Sequence, residues 1–224
     1  DKGSVASVDA NGKVTAKAKG EAIITAKAGN VAETCRVQVV EKKDRFDDNI
    51  MISIFWPPTK NYINDEQYKL MADAGITYVM GSGDALGDKE VQEKMLELCA
   101  KYGMMMTVGD DRLGGNLLRM SEEEILAVVE EYKSVPGVGG YYMLDEPYNP
   151  NTFIEAYRVL KSAEPDKYMH LNFQPSGSYP NMDTYISQMD DWCKLCASTG
   201  YPLDYLMYDR YPYGVAAGSM DRAC

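Results

Sequence analysis

The second part of the sequence, residues 49–224, alternates short apolar runs with longer amphipathic windows. This alternation limits the possible folds more than any other feature of the chain. The amphipathic windows place apolar residues three and four positions apart, as one face of a helix requires. Strands that alternate with helices indicate a parallel sheet, because parallel neighbours need a crossover connection. The predicted strands are 50–56, 76–80, 104–108, 138–144, 168–173 and 203–208, and the predicted helices are 64–74, 88–102, 121–134, 151–164 and 182–199.

Two architectures of the α/β class fit this order of elements: a doubly wound sheet, or part of an eight-fold (β/α) barrel. Polar, aromatic, glycine or proline residues follow every predicted strand. Barrel enzymes place their chemistry at the carboxyl ends of the strands, and a full barrel takes about 250 residues. We therefore predict an incomplete TIM (β/α)8 barrel over residues 49–224, with about six of the eight βα units, truncated after its sixth strand.

Residues 1–41 have a different rhythm, with apolar and polar positions alternating between turn signals such as Asn11-Gly12 and Gly29-Asn30. The segments VASVDANGKVTA, GEAIITA and CRVQV resemble the C-terminal part of a bacterial immunoglobulin-like group 2 domain. The resemblance implies an all-β spacer or adhesion module without catalysis, at an extracellular or cell-surface location. We predict a partial module at 1–41, a charged linker at 42–48 and the barrel from residue 49.

The charge and residue counts exclude several classes of partner. The chain has 34 acidic against 23 basic residues, a formal net charge of −11, which disfavours nucleic acid and anionic membrane surfaces. No apolar run approaches the roughly 20 residues of a membrane-spanning helix. The five cysteines and the single histidine have no metal-site spacing, so no metal or cofactor is predicted. The oligomeric state stays open.

Glu146 is the candidate catalytic residue, because it ends the fourth predicted strand, YYMLDE. Strict alternation predicts that Tyr142 and Leu144 lie on the same face, beneath Glu146. A carboxyl group above an apolar layer has its charged form desolvated, which raises its pKa and makes it a proton donor. The alternative is that Asp145, Glu146 and Pro147 form a loop entry in which Glu146 only caps a helix.

The segments GYYMLDEP at 140–147 and YDRYP at 208–212 resemble the clan A glycoside hydrolases. The resemblance implies that Glu146 is the acid/base of a retaining hydrolysis of glycosides. Asp145 stands where the clan has an asparagine that contacts the sugar 2-hydroxyl. The clan's nucleophile is a glutamate on the seventh strand, which has no counterpart here. We therefore expect the parent protein to hydrolyse a poly- or oligosaccharide and this fragment to be inactive.

Other side chains near the strand ends are predicted to bind the carbohydrate. Carboxylates and amides hydrogen-bond hydroxyl groups, and aromatic faces stack on the apolar side of a sugar ring. For Trp56, packing in the core is an equally open interpretation. His170 is expected to be a core histidine with its hydrogen bonds satisfied, and Trp192 to face the core. The predicted substrate-binding residues are Trp56, Asp110, Asp145, Asn172, Tyr208, Asp209 and Tyr211.

Two rival functions remain. Residues 81–87 (GSGDALG) follow a strand and precede a helix, as a dinucleotide-binding loop does, but the glycine spacing is one residue too long. The stronger alternative is a non-catalytic, cell-surface glycan-binding protein, in which the aromatic residues bind a carbohydrate without cleaving it.

Overall fold

The computed structural model describes residues 3–29, 31–39, 51–83 and 86–210. The chain divides into two compact units, Asp1–Ile50 and Met51–Cys224, which we describe separately. The predicted linker at 42–48 and the predicted sugar contact Tyr211 lie outside the described residues. In the part of the chain that is described, no helix is long and apolar enough to cross a membrane.

The first unit consists of two antiparallel hairpins, β1 (Ala6–Val8) with β2 (Val14–Ala16) and β3 (Gly20–Ala28) with β4 (Val31–Val39). Gly12, at the first hairpin turn, has a φ of 81°, which favours glycine. A small core of Val5, Ala6 and Ala22 packs against Val39. The predicted β structure is confirmed, whereas the immunoglobulin-like assignment stays a prediction.

The second unit contains a parallel sheet whose strands alternate with helices, as the sequence predicts. Its strands are β5 (Ser53–Ile54), β6 (Tyr78–Met80), β7 (Met105–Val108), β8 (Val138–Asp145), β9 (Tyr168–Phe173) and β10 (Met207–Tyr208). Its helices are α1 (Asp65–Asp73), α2 (Lys89–Lys101), α3 (Glu122–Tyr132), α4 (Ile154–Ala163) and α5 (Met182–Ser198).

The order of the strands decides between the two predicted architectures. The six described strands lie in the sheet in the same order as in the chain, and every neighbouring pair is parallel. A doubly wound sheet reverses its order at a switch point, whereas a barrel adds each strand beside the previous one. The sheet therefore fits an incomplete TIM barrel.

One side of this sheet is covered by the helices. Val79, Met106, Met143 and Leu171 share a continuous apolar core with residues of all five helices. Local signals start and end those helices where expected. Ser121 and Glu124 form a reciprocal capping box at the start of α3. The helix-facing side therefore forms from the periodicity and capping that the sequence predicts.

The opposite, inner side of the sheet has a separate, smaller cluster of Tyr78, Met80 and Tyr168. Near the carboxyl ends of the strands, glycines let backbones approach closely. A Cβ on Gly81 would lie 2.2 Å from the Thr107 carbonyl oxygen, and one on Gly109 would lie 2.5 Å from the Gly81 carbonyl oxygen. Only glycine fits these two positions, which form part of the wall of the site described next.

Candidate active site

The carboxyl ends of β5 to β8 surround a cleft of about 310 Å³. The cleft combines aromatic rings, glycine backbone and acidic side chains, which suits a polar ligand with apolar faces. Glu146, Asn172 and Asp209 do not line this cleft; they follow or end strands β8 to β10 beside it. The lining residues are Phe55, Trp56, Ser82, Gly83, Gly109, Asp110, Asp111, Leu113, Gly114, Tyr142 and Asp145.

A β-bulge in β8 changes which side chains face the cleft. Tyr142 pairs with His170, but Leu144 pairs with Leu171, so β8 contains one extra residue there. The expectation that Leu144 lies beneath Glu146 on the face of Tyr142 is therefore wrong. Leu144 packs against the core of the helix-facing side, and Asp145 lines the cleft together with Tyr142. The Asp145 backbone N–H donates to the Tyr142 hydroxyl at 2.9 Å.

Glu146 has an unusual backbone conformation, with a φ of 48°. The left-handed region disfavours any residue with a Cβ, and such strain persists only where the surroundings enforce it. Two hydrogen bonds hold this turn. The Glu146 N–H donates to the Asn172 carbonyl at 2.9 Å, and the Gln174 side-chain amide donates to the Glu146 carbonyl at 3.1 Å. Asn172 in β9 and Gln174 just after it thus fix the position of the Glu146 backbone, from which the side chain extends.

The electrostatic surroundings of Glu146 favour its protonated form. Desolvation, a side-chain hydrogen bond with Asp209 and the negative charges of Asp209 and Asp145 raise the pKa of Glu146 to about 7. A carboxyl group with this pKa can donate a proton near neutral pH. The predicted rise in pKa therefore has a second cause besides desolvation, since neighbouring carboxylates contribute to it.

Asn172 joins two of these acidic residues. It is buried at the end of β9, and its side-chain Nδ2 donates to Asp145 Oδ1 at 2.8 Å and to Asp209 Oδ1 at 2.7 Å. Desolvation nevertheless raises the pKa of Asp145, and the Asp209 charge adds to this effect. Three residues predicted to contact sugar, Asp145, Asn172 and Asp209, are therefore brought together with Glu146.

Asp110 lies at the cleft but is engaged by the protein itself. Its side chain accepts hydrogen bonds from the Arg112 guanidinium at 2.8 Å and from the Tyr132 hydroxyl at 2.7 Å. Burial alone would raise the pKa of Asp110, but these hydrogen bonds hold it below its usual value. Arg112 also pairs with Glu131. This network gives Asp110 a structural role, and its predicted contact with sugar stays a prediction.

The predicted aromatic contacts are accessible. Trp56 is 69% exposed at the cleft and Tyr208 is 54% exposed at the end of β10. The interpretation of Trp56 as a core residue is therefore wrong. Phe55 supports it through an edge-to-face contact with 5.6 Å between ring centroids. Binding of sugar by Trp56 and Tyr208 stays a prediction.

His170 lies on the inner side of β9 and is fully buried. Its ring stacks on Tyr142, with centroids 5.3 Å apart. In the described part of the chain neither ring nitrogen has a hydrogen-bond partner, so the expectation of a satisfied histidine is wrong. Burial lowers the pKa of His170 to about 3, which keeps the ring neutral.

Sequence reasoning did not include Gln174 and Tyr179 among the site residues, and it predicted Tyr142 only as part of the layer beneath Glu146. Tyr142 bonds the Asp145 backbone, Gln174 bonds the Glu146 carbonyl, and the negative charge of Glu146 helps to raise the pKa of Tyr179, after desolvation. The polar run after β9, FQPSGSY, is the sequence signal for the last two. Nothing in the sequence indicates the bulge that places Tyr142.

In the segment 81–87, whose residues 84 and 85 are outside the described part of the chain, Gly81 and Leu86 are bonded by a buried side chain. Gln92 donates from Nε2 to the carbonyls of Gly81 and Leu86, each at 2.7 Å, and its Oε1 accepts the Gly109 N–H at 2.8 Å. Among the described residues, no group of three or more His, Cys, Asp or Glu side chains is arranged to hold a metal ion.

Comparison with solved structures shows the fold. A psychrophilic glycoside hydrolase family 10 endo-β-1,4-xylanase is similar with a TM-score of 0.52 at 15% identity, over 80% of this chain and 69% of that enzyme. An intracellular xylanase from Thermoanaerobacterium saccharolyticum, solved with xylotriose, gives 0.50 at 14% identity over 73% of this chain. A β-1,3-glucanase and pollen allergen of Cryptomeria japonica gives 0.50 at 13% identity, over 79% of this chain and 59% of that protein.

This chain covers 64% of the Thermoanaerobacterium enzyme. No protein-family model matches the sequence, and no curated protein matches it. The structural likeness shows the fold, an incomplete (β/α)8 barrel, and the order of the six described strands agrees with it.

Proposed function

We propose that this protein is a glycoside hydrolase that acts on a poly- or oligosaccharide, with Glu146 as the general acid/base. The observation that supports this most is the state of Glu146. It follows the fourth strand of a barrel sheet in a strained conformation, and with a pKa of about 7 it is about half protonated at neutral pH, whereas an ordinary glutamate is almost fully ionised. The xylanase and glucanase neighbours suggest β-linked xylan or glucan as the substrate class.

In this mechanism Glu146 protonates the oxygen of the leaving group as the bond to the anomeric carbon breaks. Trp56 stacks on a sugar ring in the cleft, and Asp145, on the cleft wall, accepts a sugar hydroxyl. A retaining enzyme needs a second carboxylate about 5–5.5 Å from the first, as nucleophile. In the clan that the sequence resembles, this group lies on a seventh strand, and the described residues of this chain provide six strands of the sheet.

Chemical rescue tests the acid role without requiring that nucleophile. Azide would attack the anomeric carbon of a 4-methylumbelliferyl glycoside of xylobiose or laminaribiose, while Glu146 protonates the departing oxygen. We expect azide-dependent release of 4-methylumbelliferone, reduced at least about a hundredfold in Glu146→Gln. The matched control Glu155→Gln changes a 76% exposed side chain on α4 and should behave as the wild type.

The alternative outcomes separate the candidate functions. Equal binding of xylo- or laminari-oligosaccharides by the wild type and Glu146→Gln, with no azide-dependent cleavage, would support the glycan-binding protein instead. Cleavage without azide, lost in Glu146→Gln, would support the hydrolase and refute the expected inactivity of the fragment. Absence of both binding and cleavage would contradict both candidate functions for xylan and β-1,3-glucan.

A further inference from the structure

Asp209 is the neighbouring residue that most affects Glu146. After desolvation, a side-chain hydrogen bond with Asp209 and the negative charge of Asp209 raise the pKa of Glu146. Asn172 links the two positions, because its carbonyl accepts the Glu146 N–H at 2.9 Å and its side chain donates to Asp209 at 2.7 Å. Asp209 therefore lies where it can influence the protonation of Glu146.

A hydrogen bond between two carboxyl groups requires one shared proton, and the surroundings decide which group holds it. Asn172 donates a hydrogen bond to Asp209 Oδ1 at 2.7 Å, which favours the ionised form of Asp209. In the part of the chain that is described, no N–H group donates to the Glu146 side chain. The proton therefore belongs on Glu146, and Asp209 accepts the hydrogen bond.

Backbone contacts fix both partners. The Asp209 N–H donates to the Phe173 carbonyl at 3.0 Å, and the Glu146 N–H donates to the carbonyl of the adjacent Asn172 at 2.9 Å. Neighbouring carbonyls of β9 thus hold the residue after β8 on one side and the residue after β10 on the other. The side chain of Asn172 also bonds Asp145, which restrains its amide from rotating away from Asp209.

The other described ionisable groups near this pair are Asp145, Tyr179, His170 and Arg210. Asp145 adds a second negative charge beside Glu146. Tyr179 is neutral near pH 7 and its hydroxyl bonds Gln188, while His170 is buried and neutral. Arg210 directs one guanidinium nitrogen to the Ser176 hydroxyl at 3.3 Å. Among the described residues that shift the pKa of Glu146, none is a cation.

We propose that Asp209 is a positioning residue which, held in its ionised form by Asn172, accepts a hydrogen bond from Glu146 and keeps that side chain protonated and oriented for proton donation. This inference rests on the proposed acid role of Glu146. It assigns Asp209 a task different from the predicted sugar contact, and it explains why an asparagine is buried between two acidic side chains.

Direct titration of Glu146 tests the proposal without any substrate. The chain is labelled with ¹³C at the glutamate side-chain carboxyls, and the Glu146 signal is assigned by its absence in Glu146→Gln. In the wild type we expect a midpoint near pH 7. In Asp209→Asn the midpoint should fall by about one pH unit or more, a tenfold change in acid dissociation. Asp111→Asn removes another carboxylate at the cleft and should leave the midpoint unchanged.

Asp209→Ser is the second variant if Asp209→Asn does not fold, with near-ultraviolet circular dichroism as the check on native packing. A wild-type midpoint at the ordinary value of a glutamate, or an unchanged midpoint in both Asp209 variants, would overturn the proposal. The titration and the azide-rescue assay test separate claims, so either one can fail while the other succeeds. Loss of cleavage with an intact, Asp209-dependent titration refutes the hydrolase, whereas cleavage with an ordinary titration refutes only the role of Asp209.

Discussion

Strand β9 directs three side chains to each side of the sheet, and the two sets differ in chemistry. Met169, Leu171 and Phe173 face the helices and join the large apolar core. The alternate residues, Tyr168, His170 and Asn172, face the inner side, and all six are buried. Burial is therefore equal on the two sides, and only the chemistry differs.

The apolar side chains of β9 stabilise the fold, whereas its polar side chains lie on the side of the sheet that carries the candidate site. Apolar burial contributes about 25 cal/mol per Å², and it needs no partner geometry. Buried polar atoms need hydrogen-bond partners, and those without one destabilise the fold. Both nitrogens of His170 and the Oδ1 of Asn172 have no partner within the described part of the chain. The inner side thus retains polar groups at a cost in stability, and one of these residues, Asn172, accepts the Glu146 N–H with its carbonyl.

The largest effect should come from the helix-facing side. Trp192 on α5 is 1% exposed and meets Tyr157 edge to face, with 5.6 Å between centroids. We expect Trp192→Ala to lower the free energy of unfolding by about 3–5 kcal/mol, because it leaves a large cavity. Urea unfolding measures this. The control Ile186→Ala, 56% exposed on the same helix, should change it by less than about 0.5 kcal/mol. Equal effects of the two variants would contradict the assignment of this core.

The second-largest change in the free energy of unfolding should come from the polar network around Asp110. Asp110→Asn removes the buried charge that Arg112 and Tyr132 contact. We expect a loss of about 2–3 kcal/mol in urea unfolding, since the partners keep their polar groups without the carboxylate. Asp111→Asn, at the neighbouring and exposed position, should have little effect. If Asp110→Asn unfolds like the wild type but binds oligosaccharide more weakly, Asp110 contacts sugar as the sequence predicts.

The smallest change in the free energy of unfolding at neutral pH should come from the inner side of the sheet. There, replacing a buried polar group should stabilise the protein. His170→Phe replaces a buried ring that has two unpaired nitrogens with an apolar ring, among Phe55, Tyr142 and Tyr168. We expect a gain of about 1 kcal/mol in the free energy of unfolding at pH 7. A loss larger than about 1 kcal/mol would show that the imidazole makes a contact that stabilises the fold.

The same variant should also change the pH dependence of stability. The pKa of His170 is lowered in the folded protein, so below the unfolded value of about 6.5 only the unfolded chain binds this proton. The wild type therefore loses stability as the pH falls, by about 1.4 kcal/mol per pH unit from this group. His170 is the only histidine in the sequence. The difference in stability between His170→Phe and the wild type should grow from pH 6.5 to pH 4, and a constant difference would refute the buried neutral state.

Much of this fold could be predicted from the sequence because its signals are local. Helix α5 is predicted at 182–199 and observed at Met182–Ser198, with Trp192 and Cys196 buried as their spacing indicates. The capping box at Ser121 is confirmed for the same reason. Periodicity and caps act within a few residues, so they survive without knowledge of the rest of the chain. The position of Glu146 after the fourth strand follows from this information alone.

The arrangement around Glu146 was decided only by tertiary structure. Asn172 bonds Asp145, which is 27 residues away, and Asp209, which is 37 residues away. Both contacts depend on the register of three neighbouring strands and on one extra residue in β8, which turns Asp145 rather than Leu144 towards the cleft. A shift of one residue reverses the faces of a strand, and no local pattern in the sequence encodes that shift. The sequence therefore determined which residues end the strands, and strand register decided which of them meet.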